Sequence, residues 1–137
     1  MLIGHVAISI LEHRLLDVEL APTLMGGLFP DVLDKTLCHV LRVTPSGRMW
    51  GHTALSLVAS TGLVLAFVGR RKARAWALGY VGHLVADADD GTPLWYPFAT
   101  YEFTPSPSVK EILQRFLNDR RRLAFELGLL IVALLLL

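Results

Sequence analysis

The sequence predicts an all-α fold, a small multi-helical integral membrane bundle built from helical hairpins. Three observations carry that expectation. Apolar residues make up 53% of the chain and charged residues 18%, with a mean hydropathy of +0.51, whereas a soluble domain carries about 25% charged residues. The apolar residues fall in runs separated by basic or proline-rich breaks. The last run, 123–137, is apolar to its final residue, interrupted only by Glu126 and Gly128. At 137 residues the chain has room for one domain, spanning 1–137.

Residues 2–16 are mostly apolar and end in Glu12-His13-Arg14. Residues 20–29, LAPTLMGGLF, form a second apolar stretch closed by Pro30-Asp31, and Gly26-Gly27 in it allow close helix approach. Each covers roughly 18–22 Å as helix, short of the ~20 residues that cross a bilayer. A shallow or re-entrant pair is therefore expected, with a buried pair in a soluble bundle as the alternative. Pro30 is expected to open a new helix, because a missing N–H costs nothing at the first helical position. Residues 30–42 then read as a short amphipathic helix with Leu33, Leu37, Val40 and Leu41 on its apolar face. Residues 44–48, TPSGR, read as a turn.

Residues 53–69 form a long uncharged run, the best transmembrane candidate in the chain. The basic run Arg70-Arg71-Lys72-Ala73-Arg74 follows, then an apolar stretch over 75–86. That predicts a hairpin with a positive turn near residue 72, which the positive-inside bias places in the cytoplasm. Residues 91–107 hold four prolines together with Trp95, Tyr96, Phe98, Tyr101 and Phe103. They predict a loop at the membrane interface, where Trp and Tyr concentrate. Residues 108–122 are polar and helical in pattern, and Arg120-Arg121-Arg122 would anchor the 123–137 helix on the cytoplasmic side. A net charge of +1 and a pI of about 8.0 give no argument for nucleic acid as a partner. The single cysteine, Cys38, excludes an internal disulfide. The N-terminus lacks the basic region of a cleavable signal peptide.

Three segments concentrate residues able to hold a metal. In PDVLDK, Asp31 and Asp34 are three apart and share a helix face. In RMWGHT, His52 sits at the mouth of the long apolar run. In GYVGHLVAD, His83 and Asp87 are one turn apart and point the same way. His5 lies in the first apolar stretch. A first turn near residue 17 leaves His5 12 residues before it and Asp31 14 after it, so antiparallel helices set them at similar height. A second turn near residue 72 leaves His52 20 residues before it, and His83 and Asp87 11 and 15 after it. That mismatch of ~7–13 Å, at ~1.5 Å per residue, needs tilt or a kink. Both hairpins put these residues opposite their basic turns.

Imidazole and carboxylate ligands suit zinc first, with manganese or iron as alternatives at five or six ligands. A carboxylate in an apolar helix costs ~2.5–3.5 kcal/mol on insertion scales, so Asp87 needs a partner, and a divalent ion shared with His83 supplies one. Each element also has a plainer reading. His5 alone reads as a hydrogen-bonded core residue, Asp31 as a helix N-terminal charge, and His83 with Asp87 as a neutral pair. His13, Cys38 and His39 read as structural or surface residues. Glu126 is expected to face a helix partner or Arg122, and Arg48 either a phosphate or the interface. Asp34 or Asp90 is the expected general base.

The segments GGLFPDVLDK, GRMWGHTAL and GYVGHLVADADDGTPLWYPF, in that order, resemble the family of LexA-binding, inner-membrane-associated metal-dependent hydrolases. The likeness covers roughly residues 1–100. It implies metal binding by His5, Asp31, His52, His83 and Asp87, with Asp34 close by, and a multi-pass location in the cell inner (plasma) membrane. The family is distantly similar to zinc-dependent phospholipase C-like proteins. The whole chain, 1–137, then reads as a single membrane-embedded metal-dependent hydrolase-like domain. Its partners would be the lipid bilayer and an amphiphilic, lipid or phosphoester substrate. The competing expectations are a non-catalytic metal-binding membrane protein, and a subunit that pairs with a membrane protein or with its own copies.

Overall fold

The computed structural model describes residues 3–88 and 91–137. They form α1 (Gly4–Leu16), α2 (Leu20–Lys35), a π-helical turn (Thr36–Val40), α3 (Ala54–Phe67), α4 (Arg70–Ala86), α5 (Val109–Asn118) and α6 (Arg120–Leu135), with no strand among the described residues. The all-α expectation holds. The segment 91–107 is free of helix, as its prolines predict.

Helices α2 and α4 make the central pair. Their backbones touch: a Cβ on Gly79 would run into the Thr23 carbonyl oxygen, and one on Gly26 into that of Trp76. On one flank Trp76, Tyr80 and Leu84 of α4 pack with Phe29 of α2, Leu57 and Val64 of α3, and Leu94. On the other flank α1 lies against α2 and α4 and carries α6, through Ala7, Ile10 and Ala133. The first hairpin reverses at Asp17, whose φ of 49° closes α1, where the sequence places its turn.

Three boundaries differ from expectation. Pro30 does not open a helix; it lies buried inside α2, which continues to Lys35. The ring removes the N–H that would bond the Gly26 carbonyl, but the tight seat of Gly26 against Trp76 and of Gly51 against Pro30 holds the backbone in place. Packing outweighs the local preference, and α2 loosens only at the π-helical turn. The basic run is not a turn either. The chain reverses at Val68-Gly69, with Gly69 at φ 102°, and the arginines form the first turns of α4. Third, the C-terminal break falls at Asp119, whose side chain accepts the Arg122 N–H and starts α6, so Arg120 to Arg122 belong to the apolar helix.

The run 53–69 yields a helix of 14 residues, capped by Thr53, which accepts the Ser56 N–H at 3.0 Å. Among the described residues no helix is long and apolar enough to cross a membrane. The outer faces of α3 and α6 are nonetheless apolar: Val58, Leu63 and Phe67 are exposed, as are Phe125, Ile131 and Leu135.

Candidate metal centre

His5 comes from the first turn of α1, Asp31 and Asp34 from the end of α2, and His52 from the loop before α3. His83 comes from the last turn of α4, and Asp87 closes that helix. The shift of the second reversal from residue 72 to Gly69 brings them level. His52 lies 17 residues before Gly69, and His83 and Asp87 lie 14 and 18 after it, so no kink is needed.

All five expected ligands converge. The Nε2 atoms of His52 and His83 are 3.1 Å apart. His52 Nε2 lies 3.8 Å from Asp31 Oδ1 and 3.7 Å from Asp87 Oδ2, and His83 Nε2 lies 3.9 Å from Asp87 Oδ2. His5 Nε2 is 3.4 Å from Asp87 Oδ1, and its ring stacks on His83 with centroids 3.8 Å apart. Two donor groups, His5–His83–Asp87 and Asp31–His52–His83, meet in His83.

The tautomers follow from the outer contacts. His83 Nδ1 lies 2.7 Å from the Gly27 carbonyl, which only accepts, so Nδ1 carries the hydrogen. His52 Nδ1 donates to Asp34 Oδ2 at 2.7 Å. Asp34 is fully buried and also accepts the Met49 N–H at 2.7 Å and the Gly51 N–H at 2.8 Å. In the neutral rings both Nε2 atoms are then bare acceptors facing each other. Lone pairs 3.1 Å apart repel unless a cation or a proton lies between them. Two nitrogens held ~2.1 Å from one ion would lie ~3.0–3.4 Å apart. His5 adds two buried ring nitrogens with no hydrogen bond. The donor set fits a divalent ion.

Electrostatics favour the deprotonated form at Asp87 and His83, whereas at His52 the opposing push of burial is outweighed by the carboxylates of Asp34, Asp87 and Asp31, which raise its imidazole. Burial alone would raise the Asp87 carboxyl, but the His5 and His52 imidazoles beside it, with Arg48, hold it well below the usual carboxylate range. Burial, reinforced by His5, pushes His83 down to about 3. Both therefore stand deprotonated, as ligands must. Arg48 Nη2 pairs with Asp87 Oδ2 at 2.8 Å.

Asp34, one of the two expected general bases, stands behind His52 in the structure, away from the converging atoms. Both its oxygens are occupied. Its place is that of a carboxylate that fixes the orientation of the His52 ring. Asp90 lies outside the described residues. Glu126 meets both expectations for it, since it accepts the Ile3 and Gly4 N–H groups at the start of α1 and pairs with Arg122 at 3.1 Å. His13 Nδ1 contacts the Val18 carbonyl at 2.5 Å, remote from the centre.

A cavity of about 500 Å³ opens beside the centre. Asp31 and Arg48 form part of its wall, and Asp31 is the most exposed of the five at 17%. Lys35, His39 and Arg115 line it too. No sequence motif marks Lys35 or Arg115 as site residues, and His39 reads from sequence as a structural or surface residue. The one available signal was that Lys35 and His39 lie one and two turns beyond Asp31.

The family described as YdjM inner membrane protein matches residues 1–137. No curated protein and no solved structure matches the chain. Since that match runs from the first residue to the last, the chain belongs to the YdjM inner membrane protein family.

Proposed function

We propose that the protein is a metal-dependent hydrolase working at the inner membrane on an ester or phosphoester. The observation that carries this reading is the facing pair of His52 and His83 Nε2 atoms at 3.1 Å, each with its Nδ1–H already committed. His5, Asp31, His52, His83 and Asp87 would hold one ion, zinc first and manganese or iron otherwise. One ion suffices because His83 offers a single free nitrogen to both donor groups. Such an ion polarises an ester or phosphoryl oxygen and makes water a competent nucleophile at neutral pH. Asp34 keeps His52 in the tautomer that presents Nε2. Gly27 does the same for His83. Arg48 stands between Asp87 and the cavity, where its guanidinium can meet an anionic group of the substrate. Asp31 faces the cavity and brings the reacting centre to its edge.

A closed structural site would bury all its ligands. The cavity at Asp31 therefore favours catalysis over the non-catalytic alternative. The exposed apolar faces of α3 and α6 would meet lipid and orient the cavity at the membrane. Elemental analysis of purified protein tests the reading. About one divalent ion per chain is expected, lost in His83→Ala, in Asp87→Ala and in His52→Ala but kept in His13→Ala. Full stoichiometry in His83→Ala would reject the ligand assignment.

A further inference from the structure

The cavity beside the centre adjoins an apolar groove of about 490 Å³ between the end of α2, the π-helical turn and α5. The two share Asp31, Lys35, His39 and Ile112 as a common wall. Their chemistry differs. The cavity carries four cations, Lys35, Arg48, Arg115 and Arg122, against the carboxylates Asp31, Glu102 and Asp119. The lining holds one more cation than carboxylate, with Lys35 paired to Asp31, Arg48 to Asp87 and Arg122 to Glu126. The groove is walled by Leu28, Val32, Val40 and Val109. Val32, Val40 and Val109 are each more than 60% exposed, a row of apolar side chains open to solvent. At the junction, His39 Nε2 is buried and lacks a hydrogen-bond partner.

A cationic chamber beside an apolar trough, with an imidazole nitrogen lacking a hydrogen-bond partner on their shared wall, matches a molecule with one anionic end and one hydrocarbon end. We propose that the substrate is an anionic lipid, with its phosphate headgroup in the cavity among Arg48, Arg115 and His39, and its acyl chain along Val32, Val40 and Ile112. This rests on the hydrolase reading for the reaction, though not for the binding. Charge-assisted bonds from the guanidinium groups select the phosphate. Burial of the chain adds about three- to fourfold in affinity per methylene. The bond to be cleaved then lies at the headgroup, beside Asp31.

Native mass spectrometry of the full chain released from a non-ionic detergent tests it. Phosphatidate and phosphatidylcholine with the same acyl chains are offered in equal amounts, and glycerol phosphate is added as competitor. Phosphatidate adducts should prevail by about tenfold. Arg115→Glu should abolish that preference while the metal content stays at the wild-type level. Val40→Asp, which changes a residue that lines the groove and not the cavity, should weaken the lipid adducts and leave glycerol phosphate unaffected. Equal retention of both lipids by the wild type, with metal present, overturns the lipid proposal alone. If the purified wild type holds no metal yet keeps the preference, the metal reading falls and the lipid site stands. Displacement of lipid by glycerol phosphate at matching concentrations would reduce the site to a phosphate pocket and reject the groove.

Discussion

His52 and His83 are steered by different partners, a carboxylate and a carbonyl, and only the first can be weakened by a side-chain change. Asp34→Asn keeps the shape but loses the charge that holds the His52 Nδ1 hydrogen. Metal affinity should fall by ~10–100-fold with helicity unchanged; an unaltered affinity by competition with a chelating dye would remove Asp34 from the centre. Glu12 is a half-buried carboxylate outside the centre. A Cβ on Gly82 would run into its carboxylate, and its Oε2 has no hydrogen-bond partner. Burial pushes Glu12 up from 4.5 to about 7. Between those values the folded protein holds a proton that the unfolded chain has released, so stability falls as pH rises through this window and is flat above it. Glu12 is only partly buried, so solvent screening cuts the effect to about 1–2 kcal/mol. Glu12→Gln should flatten the decline, measured as melting temperature from pH 4.5 to 8; an unchanged slope in the variant assigns the decline to other groups.

At the scale of elements, the α2–α4 crossing sets the distance between the helices that carry Asp31, His83 and Asp87. Gly79→Ala places a methyl group against the Thr23 carbonyl and should cost at least about 1–3 kcal/mol, since backbone cannot yield as a side chain can. Gly62 in α3 has nothing within reach of an added Cβ. Gly62→Ala should be neutral or stabilising by ~0.5–1 kcal/mol, because glycine loses more backbone entropy in a helix. Denaturation of both variants checks the pair, and equal effects would mean the crossing is not close. Helix α1 depends on α6 in a similar way. Glu126 accepts the Ile3 and Gly4 N–H groups, one residue from His5, from inside an apolar helix. Glu126→Ala leaves those donors buried without an acceptor and should cost about 1–3 kcal/mol. It should also loosen the metal, because His5 is held by the same turn. A variant with full stability and full metal affinity would show that the cap is dispensable.

For the molecule as a whole, the apolar outer faces of α3 and α6 are the surfaces proposed to meet lipid. If contact is through these faces, about 1 M salt should not release the protein, because such salt shortens the Debye length to ~3 Å yet leaves apolar burial intact. Val58→Lys combined with Ile131→Lys should move it toward the soluble fraction. Release of the wild type by salt alone would make the attachment electrostatic. The sequence by itself determined the helical class, the Asp17 turn, the helix-free proline segment and the identity of the five converging residues. Each of these rests on local pattern: apolar runs, prolines, and His or Asp side chains set near one end of each run. Tertiary structure decided the rest. Pro30 lies within a helix because Gly26 and Gly51 clamp the backbone around it. The basic run joins α4 because Gly69, at positive φ, makes the reversal, and this shift of three residues brings His52 level with His83. Asp34 turns from the centre to orient His52 because two loop N–H groups, far from it in sequence, claim its oxygens. The cavity with Lys35, His39 and Arg115 arises only when α5 folds back over the end of α2. Spacing along one chain encodes which residues share a helix face, and it does not encode which faces of separate helices meet.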